Sequence, residues 1–137
     1  STLAGLVKNM NRDSLARLKR NMSDHLRMPM GRCIGWLVEA DGRSLLHFGS
    51  MAFDEHEHYP QNVDVLSLPF QGNSQVDLLA LSAVERLKPE AVLLHHFDDA
   101  FPPISSAVET ATFASLMKQK HPQITVYIPD YDQPITL

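Results

Sequence analysis

Two imidazoles followed by two carboxylates close one short apolar run, Leu93-Leu94-His95-His96-Phe97-Asp98-Asp99. If the run is a strand of a layered α/β fold, side chains just past its C-terminal end face the ligand crevice. An imidazole there can ligate a metal, and a nearby carboxylate can hold its other nitrogen in the tautomer that ligation needs. The structural alternative packs His95 beneath a following helix and uses the Asp pair to cap a turn; the residues alone leave both readings open. His56-Glu57-His58 also alternates imidazoles, which would share one face of a strand. Its surroundings are polar and no third ligand is within sequence reach, so it reads as a solvated loop. His25, near the apolar stripe of a leading helix, and His121, at a helix end before Pro122, read as structural. Cys33 has no catalytic context and reads as a buried, inert thiol. Ser50 and Ser67 fall near strand ends but not in a Gly-x-Ser-x-Gly elbow, so no serine nucleophile is expected. Walker-type and Gly-x-Gly-x-x-Gly loops are missing, which argues against nucleotide binding of those kinds.

Holding such residues in place requires a sheet, and the pattern predicts one. Residues 11–27 read as a helix, with Leu15, Leu18, Met22 and Leu26 at helical spacing, Asp13 or Ser14 as cap, and Pro29 and Gly31 as the stop. Two apolar runs, 33–40 and 43–48, flank Asp41-Gly42, a strong hairpin signal because Gly tolerates the positive φ of a tight turn. Residues 51–62 read as a polar loop and 63–70 as a short, mostly apolar strand. Ser74 and Asp77 resemble a capping box that opens a helix with Val76, Leu79, Ala80, Ala83, Val84 and Leu87 on one face, ended by Pro89. A buried strand follows over 91–94. Phe101-Pro102-Pro103 then lead into a helix over about 105–120, and strands are predicted at 124–128 and 130–137. The alternation implies an α/β fold: a mixed sheet, part antiparallel and part βαβ, with helices packed on it. No internal linker divides residues 1–137, which read as a single domain with a leading helical segment over 1–28.

Composition narrows the function classes. With 44% apolar and 20% charged residues, the 137-residue chain is globular in composition and long enough for a real core. No apolar run approaches the roughly 18 residues a membrane crossing needs, and no secretory signal is visible. A single cysteine forbids an intrachain disulfide and fits a reducing, cytoplasmic setting. Net charge is −4 but uneven: residues 1–43 carry eight Lys/Arg against four Asp/Glu, while residues 44–137 carry four against twelve. The basic third fits the solvated face of one helix (Arg12, Arg17, Lys19, Arg20, Arg27). No aromatic residues interleave its charges before Trp36, so nucleic-acid binding is not expected.

Four stretches carry a family likeness. Gly35 to Gly42 resembles a strand and turn preceding a central acidic ligand. Leu45-Leu46-His47-Phe48-Gly49-Ser50 matches a His-x-Gly-Asp step with Ser50 in the Asp position. Asp64 to Phe70 resembles the next core strand, and Val92 to Asp98 the strand ending in a last metal-binding histidine. From about residue 30 onward the chain thereby resembles the C-terminal half of metallo-β-lactamase-superfamily hydrolases, near the sugar-acid lactonases. The resemblance implies half of an αββα sandwich and a zinc-dependent hydrolase in the intact fold. It makes His96 the better match to the metal ligand and His95 the less favoured one, with Asp98 and Asp99 as supporting groups. The departures are as informative. The family's His-x-His-x-Asp-His string is not present, and residues 1–28 resemble the helix just before the second half, so the chain is expected to start after those ligands. Ser50 also removes the carboxylate that bridges two metals, since a neutral hydroxyl substitutes poorly. A catalytic zinc needs about three protein ligands, so the expectation is a chain inactive by itself, possessing at most a partial site. The expected partners are a second copy of the chain or the missing N-terminal half. The alternatives are a non-catalytic α/β binding or assembly module and an unrelated flavodoxin-like domain with a fully covered sheet.

Overall fold

The computed structural model describes residues 33–54, 56–71, 73–99 and 106–136, with Ala16, Arg17, Lys19, Arg20, Ser23 and Arg27 from the leading segment. The chain divides into two compact units, Ser1–Arg32 with Asp99–Ser106, and Cys33–Asp98 with Ala107–Leu137. In the first unit the six described leading positions are all helical, and Arg17, Lys19, Arg20 and Arg27 are exposed, as a solvated face requires. The predicted apolar stripe (Leu15, Leu18, Met22, Leu26), its caps, Arg12, His25 and the Phe101–Pro103 loop lie outside the described residues.

The second unit is an α/β layer. Its elements are β1 (Gly35–Ala40), β2 (Arg43–Phe48), β3 (Val65–Pro69), α1 (Val76–Leu87), β4 (Ala91–His95), α2 (Ala111–Lys120) and β5 (Thr125–Tyr127). They form one five-stranded sheet in the order β1-β2-β3-β4-β5. β1 and β2 are antiparallel; the β2–β3, β3–β4 and β4–β5 pairs are parallel. The hairpin forms where Asp41-Gly42 places it. Both residues take positive φ, 51° and 75°, which matches a two-residue turn to the twist of its strands. Opposite Phe48, Gly35 leaves no room for a side chain: an added Cβ would sit 2.8 Å from the Phe48 ring edge.

A reciprocal polar pair sets the β2–β3 register one residue before the ladder begins. Ser44 donates its N–H (2.7 Å) and its hydroxyl (2.8 Å) to the Asp64 carboxylate, while Asp64 N–H donates back to Ser44 Oγ at 3.1 Å. The Ser44 hydroxyl and amide, with Arg43 Nε 3.7 Å away, hold the Asp64 carboxyl below its ordinary range.

Both βαβ crossovers step the same way across the sheet, so right-handed connections put α1 and α2 on the same face. There Leu46, Phe48, Leu66, Leu68, Phe70, Val92 and Leu94 meet Val76, Ala80, Val84 and Leu87 of α1 and Phe113 and Met117 of α2. β3, flanked on both sides, is buried at every position. Arg86 fastens the loop after β2 to α1: its guanidinium donates to the Asp54 (3.2 Å) and Glu57 (2.6 Å) carbonyls and lies 5.2 Å over the Tyr59 ring.

Several local expectations are corrected. No Ser74–Asp77 capping box forms: Gln75 is the N-cap without a side-chain bond, and the Asn73 side chain accepts Gln75 N–H at 2.8 Å instead. The second helix begins at Ala111, not near residue 105, because the Glu109 carboxylate accepts the amides of Ala111 and Thr112 and the Thr112 hydroxyl. Just before that cap, Val108 N–H is tied to the Phe97 carbonyl at 2.8 Å, which holds this stretch of chain out of the helix. Residues 130–136 are not a strand; they turn at Tyr131-Asp132, where Asp132 has φ 60°, and Pro134 lacks the N–H a ladder needs. Cys33 is exposed rather than buried, since it precedes the edge strand instead of lying within the core. Among the described residues no helix is long and apolar enough to cross a membrane.

Candidate functional site

Parallel register assembles the candidate site. His47 pairs with Ser67, and Pro69, two residues on, pairs with His95. Because Leu46, Phe48, Leu66, Leu68, Val92 and Leu94 point into the helix-covered core, the alternate residues His47, Ser67 and His95 share the opposite face. The three side chains meet near the C-terminal ends of β2, β3 and β4, where layered α/β folds place their ligand sites.

Their contacts fix much of the chemistry. His47 Nδ1 lies 3.0 Å from Ser67 Oγ. The His47 and His95 rings stack with centroids 4.8 Å apart and planes 24° from parallel. His95 Nε2 lies 3.1 Å from the Phe48 carbonyl. A carbonyl only accepts, so Nε2 carries the proton and donates, and in the neutral ring the lone pair sits on Nδ1. Burial pushes the His95 imidazole below its ordinary pKa; the neighbouring His47 adds to this, the Phe48 carbonyl opposes it, and His96 contributes a smaller lowering. The fold therefore shifts His95 toward its neutral form. Ser67 is only 3% exposed, and its hydroxyl has His47 as its partner.

His96 is placed differently. It follows β4 with φ 60°, a left-handed conformation uncommon for any residue but glycine, and its side chain is exposed. Its ring centroid is 5.7 Å from that of His95. The strand places His95 and the sharp turn after it releases His96 toward solvent.

Ser50 is half-buried and its hydroxyl accepts Ala52 N–H at 3.3 Å. Asp98 is exposed, and its backbone carbonyl accepts from Gln71 Nε2 at 3.3 Å. Asp99 is exposed and belongs to the first unit. No hydrogen bond among the described residues joins Ser50 or Asp98 to the histidines. His56 and His58 are exposed in their loop. His121 ends α2, with its N–H on the Met117 carbonyl at 2.7 Å and its ring 3.5 Å from Glu85 Oε1, a structural role.

The described residues hold no group of three or more His, Cys, Asp or Glu side chains able to bind one metal ion. Ring geometry gives the reason for His47 and His95. Imidazole lone pairs lie in the ring plane, and stacked planes aim them side by side rather than at one ion roughly 2 Å from each. One nitrogen of each ring is also already committed. Reading by sequence stretch singled out neither His47 nor Ser67 as a site member. The available signal was two polar residues inside apolar strands, but only the β2–β3 register makes them neighbours. No known protein-family model matches the chain.

Proposed function

We propose that this chain is one half of a metal-dependent hydrolase of the metallo-β-lactamase type, the half that brings the last metal-binding histidine, and that it is inactive alone. The observation that carries this is His96, an exposed imidazole held at φ 60° just past a central parallel strand. A left-handed residue directly after a strand turns its side chain away from the sheet and leaves the imidazole open to a partner. His95, His47 and Ser67 form the bonded layer that fixes the strand end beneath it. The donor set does not by itself fit a catalytic zinc, so the remaining ligands are to come from another segment or another subunit. Self-association or packing against a complementary half belongs to the same reading, and so does a cytoplasmic setting.

A zinc titration with NMR detection of the imidazole signals tests this. Expected is weak binding, with no stoichiometric zinc retained after dialysis, that shifts the His96 ring and is lost in His96→Ala. A tightly held equivalent per chain would overturn the incomplete site; the absence of any His96-dependent shift would overturn the ligand assignment. The second reading is a non-catalytic binding or assembly module. Ser50 favours it, because its hydroxyl serves a backbone amide where the family's carboxylate would be.

A further inference from the structure

We infer that β1 is the self-association edge of this protein, with two copies pairing β1 to β1 in antiparallel fashion about Leu37. This rests on the self-association just proposed and names its surface; the hydrolase reading does not enter.

Among the described residues β1 is one of the two outer strands of the sheet. Such edges are normally guarded by Lys, Pro, a bulge or short length. β1 has six residues, none of them Lys or Pro, and its register with β2 runs without a bulge from Gly35↔Phe48 to Ala40↔Arg43. Its only charge is Glu39. Among the described residues, exposed apolar side chains gather along this strand: Ile34 and Trp36 are each 63% exposed, Val38 52% and Leu37 44%. By contrast the centre of the sheet is buried, so the unsatisfied surface belongs to the edge and not to the whole face.

Strand geometry decides the occupant. A two-residue turn makes Ala40–Arg43 a hydrogen-bonded pair, so Ala40, Val38 and Trp36 direct their amides and carbonyls at β2. Gly35, Leu37 and Glu39 direct theirs outward. A partner strand must present outward groups at the same spacing, and a second β1 does. Pairing Leu37 with Leu37 matches Gly35 with Glu39 in both copies and uses all the outward groups of the strand. The same register sets Trp36 beside Val38 twice on the far face, an aromatic to β-branched pair of the kind that stabilises sheets. Glu39 meets Gly35 rather than another carboxylate, so no like charges oppose. This is the isologous arrangement of a two-fold dimer.

Sedimentation equilibrium of the full chain, from low to high micromolar, tests it with Leu37→Pro. Proline there removes an outward N–H while sparing the β1–β2 ladder. The wild type is expected to approach twice the chain mass at high concentration, and Leu37→Pro to stay at one chain mass with an unchanged far-UV circular dichroism spectrum. A monomeric wild type throughout would overturn self-association itself. A dimeric Leu37→Pro would keep self-association and overturn the β1 edge. Should Leu37→Pro not fold, amide exchange of the wild type decides: Gly35, Leu37 and Glu39 must exchange more slowly at high concentration, and equal rates overturn the proposal.

Discussion

His96 and His95 are adjacent in sequence and opposite in circumstance. His95 is stacked, hydrogen-bonded and shifted toward its neutral form; His96 is exposed in a left-handed turn. A left-handed residue with a Cβ costs roughly 1–2 kcal/mol, part of which glycine would recover. His96→Gly is therefore expected to raise stability in urea melts by about 0.5–1 kcal/mol, because the exposed ring has little packing to lose. A clear loss of stability instead would mean that the ring is there for contacts and not for chemistry. At this scale local sequence and strand register contribute differently. The run Leu93 to Asp99 announces its polar end by itself, whereas His47 and Ser67 lie twenty positions apart and become neighbours only through strand register.

Elements were legible where local backbone chemistry is decisive. The hairpin follows from Asp41-Gly42, since few residue pairs accept two positive φ values in succession. Helix starts were less legible, because several nearby side chains compete for the same free amides. Asn73 displaced the expected Ser74 box, and Glu109 moved the start of α2 to residue 111. The Ser44–Asp64 pair, which locks β2 to β3, carries a pH signature. Its carboxyl is depressed in the fold, so its stabilising contribution is complete above the unfolded value of 3.8 and is lost as pH falls through the folded value. Asp64→Asn should accordingly unfold at lower urea than wild type at pH 6, with the gap closing on acidification toward about pH 3. A gap that stays constant across that range would show that the ionised carboxylate is not what the pair depends on.

For the molecule as a whole, sidedness is the governing feature. Strand order β1 to β5 without reversal sends both helices to one face, unlike a flavodoxin-type sheet, whose order reverses. The core is thus one layer deep between sheet and helices, and α2 joins it chiefly through Phe113 and Met117. Phe113 is fully buried, with its ring 5.3 Å from that of Phe70. Phe113→Ala should cost about 3–5 kcal/mol in chemical denaturation. A loss under about 1 kcal/mol would mean that α2 is only loosely held on the sheet.

From sequence alone came the α/β alternation, the hairpin, the apolar strands and the exposed loop with His56 and His58. Each depends on periodicity or on the φ preferences of a few adjacent residues, which act before any long-range contact exists. Tertiary structure alone decided that His47 and Ser67 join His95, that Cys33 is exposed, and that the unguarded apolar surface lies along β1. Those outcomes depend on which strands become neighbours, in what register, and on which side the helices pack. Such pairings join residues far apart in the chain, and no short stretch encodes them.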